Sequence, residues 1–181
     1  MGIGRFLFRL VVGAYFIGHG TQKLFGWFGG HGLDATGAGF EKIGLRPGRR
    51  NAIAAGVAEA GGGALVAAGL ATPIAATVLT GTMLTAVHRV HLKSGPWLSN
   101  GGYEYNAVLI AALLALAEAG PGGLSLDAVA GRERSGPGWA LAVLGGGALG
   151  ALAVDQLARR APHPPAAEQA DAGDAETAET S

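Results

Sequence analysis

The chain has no cysteine among its 181 residues. Disulfide exchange, thiolate catalysis and Cys-ligated metals are therefore excluded for this chain alone. Charge is also scarce. Asp, Glu, Lys and Arg make up 14% of the sequence, against about 25% in a soluble domain. The net charge is zero, so nucleic-acid binding has no electrostatic support. No repeat with a convincing period is present. The Gly-rich stretches Gly61-Gly62-Gly63 and Gly145-Gly146-Gly147 lie in apolar segments, so they read as close helix packing and not as phosphate loops.

Apolar residues fill the space that charge leaves. Hydrophobic residues reach 49%, mean hydropathy is +0.33, and there are 33 glycines. Abundant Gly and Ala weaken soluble helices but suit tight packing of membrane helices. A membrane-crossing helix needs about 20 largely apolar residues. Five segments meet or approach that: Arg5 to Phe28, Asn51 to Leu70, Pro73 to Leu92, Tyr103 to Ala119, and Pro137 to Leu157. The expected fold class is all-α, a polytopic transmembrane helix bundle in the cell membrane. The first segment ends in Gln22, Lys23 and Trp27 with no small-residue cleavage site, so it reads as a retained helix. Thr72-Pro73 marks a very short turn with Pro at the start of a helix. In the loop from Gly29 to Arg50, Phe40 to Ile43 reads as a short interfacial helix.

The Lys and Arg residues divide unequally between the two ends of such a bundle. Lys42, Arg46, Arg49, Arg50, Arg89, Lys93, Arg159 and Arg160 fall at one end; Arg5, Arg9, Arg132 and Arg134 fall at the other. The positive-inside rule makes the first end cytoplasmic. Arg5 and Arg9 read as anchors that snorkel to the headgroups, and Trp27, Trp97 and Trp139 as interface anchors.

Polar residues inside such spans are costly and need a reason. At 1.5 Å per residue, His19 lies roughly 13 Å from the Phe28 end of its segment. Glu59 lies roughly as far from Arg50 in the second segment, so the two share a depth. His19, Gln22 and Lys23 are spaced i, i+3, i+4 and share a face, which Tyr15 extends inward. His88 and His91 share a face at the same end, and Glu104 begins the fourth segment there. One internal cluster is expected, with His19, Lys23, Glu59, His88 and Glu104 as the reactive groups. Tyr15, Gln22, Trp97, Tyr103 and Tyr105 are expected to flank a bound ring. Snorkelling is an equal alternative for Lys23, and a structural hydrogen bond across helices an equal alternative for Glu59. His88-x-x-His91 lacks a fixed third ligand, so no metal is assigned. Haem held by His19 and His88 has no stronger support.

These stretches resemble the DoxX family of small integral membrane proteins. The matching residues are His19-Gly20-x-x-Lys23-Leu24-Phe25-Gly26, Ala58-Glu59-x-Gly61-Gly62, and Gly69-Leu70-x-Thr72-Pro73. Further on come Met83-Leu84-x-Ala86, Gly101-Gly102-Tyr103-Glu104-Tyr105, and Gly120-Pro121-Gly122-x-x-Ser125-Leu126-Asp127. The resemblance implies a four-helix membrane core over residues 1–130. A linker and fifth transmembrane helix would follow in residues 131–160, then a disordered acidic Pro/Ala tail in residues 161–181. It also implies redox chemistry, as a membrane subunit of a quinone-linked or thiol and oxidative-stress complex. Quinone is the ligand this suggests, with the lipid bilayer and a redox partner protein as partners; the small spans rich in Gly and Ala add a second copy of the chain, with no face distinctive enough to draw an interface. A small proton-coupled transporter and a structural or assembly protein are the alternatives.

Overall fold

A computed structural model describes residues 2–161, and these contain helix and no strand. The protein is all-α. From residue 162 on, the tail expected to be disordered lies outside the described residues.

Helix α1, Ile3–Phe25, ends where Gly26 turns left-handed at φ 73° and its N–H bonds to the Gln22 carbonyl. The end falls three residues before the expected Phe28. Helix α2, Gly32–Lys42, is longer than the short helix expected at Phe40 to Ile43. Three glycines within it hide its helical tendency in the sequence. Packing on the next helix restores it. A Cβ on Gly48 would lie 2.1 Å from the Gly37 carbonyl oxygen, and Glu41 accepts a bond from the Gly48 N–H. Helix α3, Gly48–Ala68, ends at Gly69, again left-handed at φ 64°. Helix α4, Thr72–Ala86, starts with Pro73 in its first turn and widens into a π turn over Val87–His91. Helix α5, Glu104–Ala119, precedes a single turn, α6, Leu126–Val129, whose Ser125 hydroxyl accepts from the Ala128 N–H. Helix α7, Pro137–Arg160, closes the described chain.

Helix α1 lies along α3, and α4 is the hub, packed on α3, α5 and α7. Phe16, Val66, Leu79, Leu113 and Val143 form the centre of the core. The α1–α3 seam is set by glycine. A Cβ on Gly20 would sit 2.5 Å from the Gly56 carbonyl oxygen, and one on Gly13 would sit 2.5 Å from that of Gly63. Gly20→Val should therefore push the helices apart and lower stability by about 1–3 kcal/mol, as overpacked cores do. Thermal unfolding in detergent measures this, and an unchanged midpoint would refute the close approach.

Helices α3 and α7 are each long and apolar enough to cross a membrane. Helices α4 and α5 hold only 15 and 16 residues, and α1 carries Arg5, Arg9 and Lys23. Large apolar side chains nonetheless coat the outside, among them Leu7, Val57, Ile74, Val108, Leu141 and Leu149.

The end of the bundle holding the α1 N-terminus overturns the snorkelling expectation for Arg9. That side chain is fully buried. One guanidinium nitrogen donates to the Leu124 carbonyl, and the group lies so close over Gly69 that a Cβ there would fall 1.5 Å from Nη1. Beside it, Asp127 accepts from the Ala71 N–H at 2.8 Å, the Thr72 N–H at 3.0 Å and the Thr72 hydroxyl at 2.8 Å. Burial alone would raise the Asp127 carboxyl. The two bonds from Thr72, the one from Ala71 and the nearby Arg9 charge outweigh it and hold the group below the usual carboxylate range. Ala71 is left-handed at φ 47°, a conformation costly for an L-residue, and the bond to Asp127 keeps it there. Arg5 closes the same end by donating to the Ala119 carbonyl at 2.7 Å.

Candidate functional site

A cavity of about 690 Å³ opens toward the other end, walled by α1, α3, α4, α5 and α7. Most of its wall is small and apolar, from Ala54, Ala55 and Ala58 on α3 to Gly146 and Gly150 on α7. Among its polar groups is an ion pair between α1 and α3. Lys23 Nζ lies 2.5 Å from Glu59 Oε2, with the Glu59 side chain 4% exposed and that of Lys23 25% exposed. The glycine seam explains this pair. Gly20 brings α1 against Gly56 and Ala60, and the Lys23 side chain, one turn further along α1, runs back toward the His19 carbonyl, 3.5 Å from Nζ, and so meets Glu59 across the seam.

His19 bonds through Nδ1 to Gln22 Oε1 at 3.1 Å. With Nδ1–H donating, Nε2 is the ring atom left for another partner. The ring meets Tyr105 edge-on, with centroids 6.2 Å apart. Helices α1 and α5 otherwise touch only lightly, so this pair spans the space between them. The Asn106 side chain, also on the cavity wall, is buried with Met83 Sδ at 3.4 Å as its partner, a weak acceptor.

The structure thus brings His19, Lys23, Glu59 and Tyr105 to one cavity. Gln22 holds His19 but turns to a neighbouring cavity between α1 and α2. The remaining expected site residues do not line the main cavity. The His88 side chain is 57% exposed and lies 3.5 Å from Asp155. Glu104 starts α5 and is half-buried. Tyr15 and Trp97 are 59% and 64% exposed, and Tyr103 caps the α5 N-terminus.

The π turn accounts for the displaced histidines. It is wider than an α-helical turn, so residues three apart no longer stack. His88 turns toward Asp155, while His91 Nδ1 meets the Gly101 carbonyl at 2.7 Å. The spacing therefore gives neither a metal-ligand pair nor a His19–His88 haem pair. No group of three His, Asp or Glu residues suited to a metal occurs among the described residues.

Sequence reasoning overlooked Asp155. It is buried on α7 and accepts from Arg89 and, at 2.7 Å, from Arg159 Nε. Arg89 lines the cavity and its Nε has no partner among the described residues. A lone acid four residues before an arginine at the end of an apolar helix was the available signal.

The fold and cavity define a helical bundle with a buried ion pair at an apolar chamber. The chain belongs to the DoxX family of membrane proteins. The family matches at residues 4–92. A relative named "Putative oxidoreductase CatD", from Bacillus subtilis (strain 168), is 35% identical over 114 residues, which cover 63% of this chain and 78% of the relative. No solved structure matches.

Proposed function

We propose that the chain is a multi-pass protein of the cell membrane and the non-autonomous membrane subunit of a redox complex, with the main cavity receiving a quinone head group. The four-helix core would be residues 1–130 and α7 a fifth span, with the cavity end cytoplasmic as the Lys and Arg distribution favours. The apolar coat on the outside and the two helices able to span support the membrane placement. The relative's name supports the redox assignment.

The observation that carries the reading is the Lys23–Glu59 pair set in the wall of a mainly apolar chamber. Its volume lies in the range of about 300–1,000 Å³ typical of small-molecule sites. A chamber of this kind accepts a flat lipophilic ring and offers it few, directed polar groups. A bound quinone supplies the acceptor for two electrons and two protons. His19 Nε2 is placed to bond a ligand oxygen. The Lys23 ammonium offers positive charge and a proton beside developing negative charge, and Glu59 takes part in the relay that restores it. Tyr105 covers the ring from α5. The chain has no thiol, so the electrons come from a partner redox protein or a soluble reductant.

The test is lipid extraction and mass spectrometry of protein purified in mild detergent. Quinone near one per chain is expected in the wild type and its loss in the His19→Ala, Glu59→Gln double variant. Absence from both, or equal amounts in both, overturns the assignment.

A further inference from the structure

The second cavity, of about 480 Å³, lies between α1 and α2. Gln22, His31 and Thr36 give it a polar wall, and His31 at its rim is exposed. It shares four residues with the main cavity: Lys23, Phe40, Ile43 and Val90. These four form the partition between the two spaces. Three are apolar, and Lys23 is the charged one. The fold builds this chamber deliberately at one point. Gly30 presses so tightly on α1 that a Cβ there would lie 2.5 Å from the Gln22 Cα, and the Gln22 amide donates to the Phe28 carbonyl at 3.2 Å. The returning loop is thereby fixed as the floor under Lys23.

We propose that this vestibule is the aqueous entrance for protons to the Lys23–Glu59 pair, so that Lys23 stands between a hydrophilic and a lipophilic compartment. The inference rests on the main cavity holding a quinone-class oxidant. Two electrons would reach the oxidant from the partner redox protein; Lys23 would release a proton to one ligand oxygen, regain one from water in the vestibule, and repeat the transfer for the other oxygen, so that two electrons and two protons are delivered. Glu59 from α3 holds the ammonium through the cycle. His19 and Gln22 on α1, His31 at the vestibule rim, Tyr105 on α5, and Arg89 and His91 on the π turn are the other polar groups around the two chambers.

A chain without cysteine makes thiol accessibility a direct test. Gly39→Cys places a thiol in the vestibule, where a Cβ meets nothing within 4 Å. Lys23→Cys places one in the partition, and Ala55→Cys one in the main cavity. The probe is a permanently cationic methanethiosulfonate, applied to protein in lipid nanodiscs. Reaction of Lys23→Cys is expected within about tenfold of Gly39→Cys, and that of Ala55→Cys about a hundredfold slower, since access limits thiol reactivity. Filling the vestibule with Gly39→Trp should slow Lys23→Cys by about tenfold or more. Should Lys23→Cys fail to fold with Glu59 unpaired, the same series is run on the Glu59→Gln background. Labelling of Lys23→Cys as slow as Ala55→Cys, or unaffected by Gly39→Trp, overturns the proposal. Quinone retention is measured separately on the same samples. Loss of the access pattern refutes the vestibule alone, whereas absence of quinone from Gly39→Cys, which keeps His19, Lys23 and Glu59, refutes the reading on which it rests.

Discussion

Asp127→Ala lowers the unfolding free energy by about 3–5 kcal/mol, the range for breaking a buried charged network by removing one member. Three donors on Ala71 and Thr72 lose their acceptor at once, and Arg9 stays buried without its nearby opposite charge. Calorimetry or a denaturant titration in detergent measures the loss. A change under about 1 kcal/mol, the scale of an exposed pair, would mean that this end of the bundle is open to water. The pH dependence has a definite sign. The folded carboxyl titrates below its ordinary value of 3.8. Its stabilising contribution is therefore whole above that value and is lost as pH falls from there through the folded pKa. Asp127→Asn should abolish that acid-side decline while leaving the neutral-pH fold assembled.

Lys23 and Glu59 are expected to be strongly coupled. Lys23→Met leaves Glu59 buried without its cation, and Glu59→Leu leaves an ammonium facing apolar walls. Each should cost about 3 kcal/mol, toward the lower end for a broken buried pair because the Lys23 side chain keeps a quarter of its exposure. Making both changes together should recover most of that loss, since a well-packed apolar pair can replace a buried ion pair with little or no penalty. The double variant also separates structure from chemistry. Recovered stability with quinone lost assigns the pair to ligand handling. Recovered stability with quinone retained makes it a packing element and removes the proton role. Stability that adds up from the two single changes would refute the coupling.

The long helices were legible in the sequence because apolar length and the glycine and proline stops are local signals. Gly26 and Gly69 stop α1 and α3 close to the expected ends, and Pro73 starts α4 as expected. Helix α2 was legible only in part, because its glycines oppose helix formation and its stability comes from lying on α3. For the site, matched depth and an i, i+3, i+4 face were sufficient to bring His19 and Lys23 toward Glu59. They were insufficient for His88 and Glu104, whose directions depend on a π turn and a helix start. Arg9 was misread for a different reason. A charge one turn inside a helix has the same sequence signature whether it reaches out to headgroups or in to a buried carbonyl beside an acid. The acid in question, Asp127, lies more than a hundred positions away.

The π turn at Val87–His91 ties geometry to the number of residues more than to their kinds. An α-helix advances about 100° per residue. A π turn holds about one residue more than an α turn, so removing one residue would let it relax to ordinary helix with the chain on either side still nearly in register, and the change would fall on the turn's own side chains. Arg89 and His91, which line the main cavity from this turn, would be re-aimed. Length variation at this point is therefore a sharper way to alter the chamber than any side-chain exchange, and single-residue deletions scanned across it would map how much freedom the chamber has.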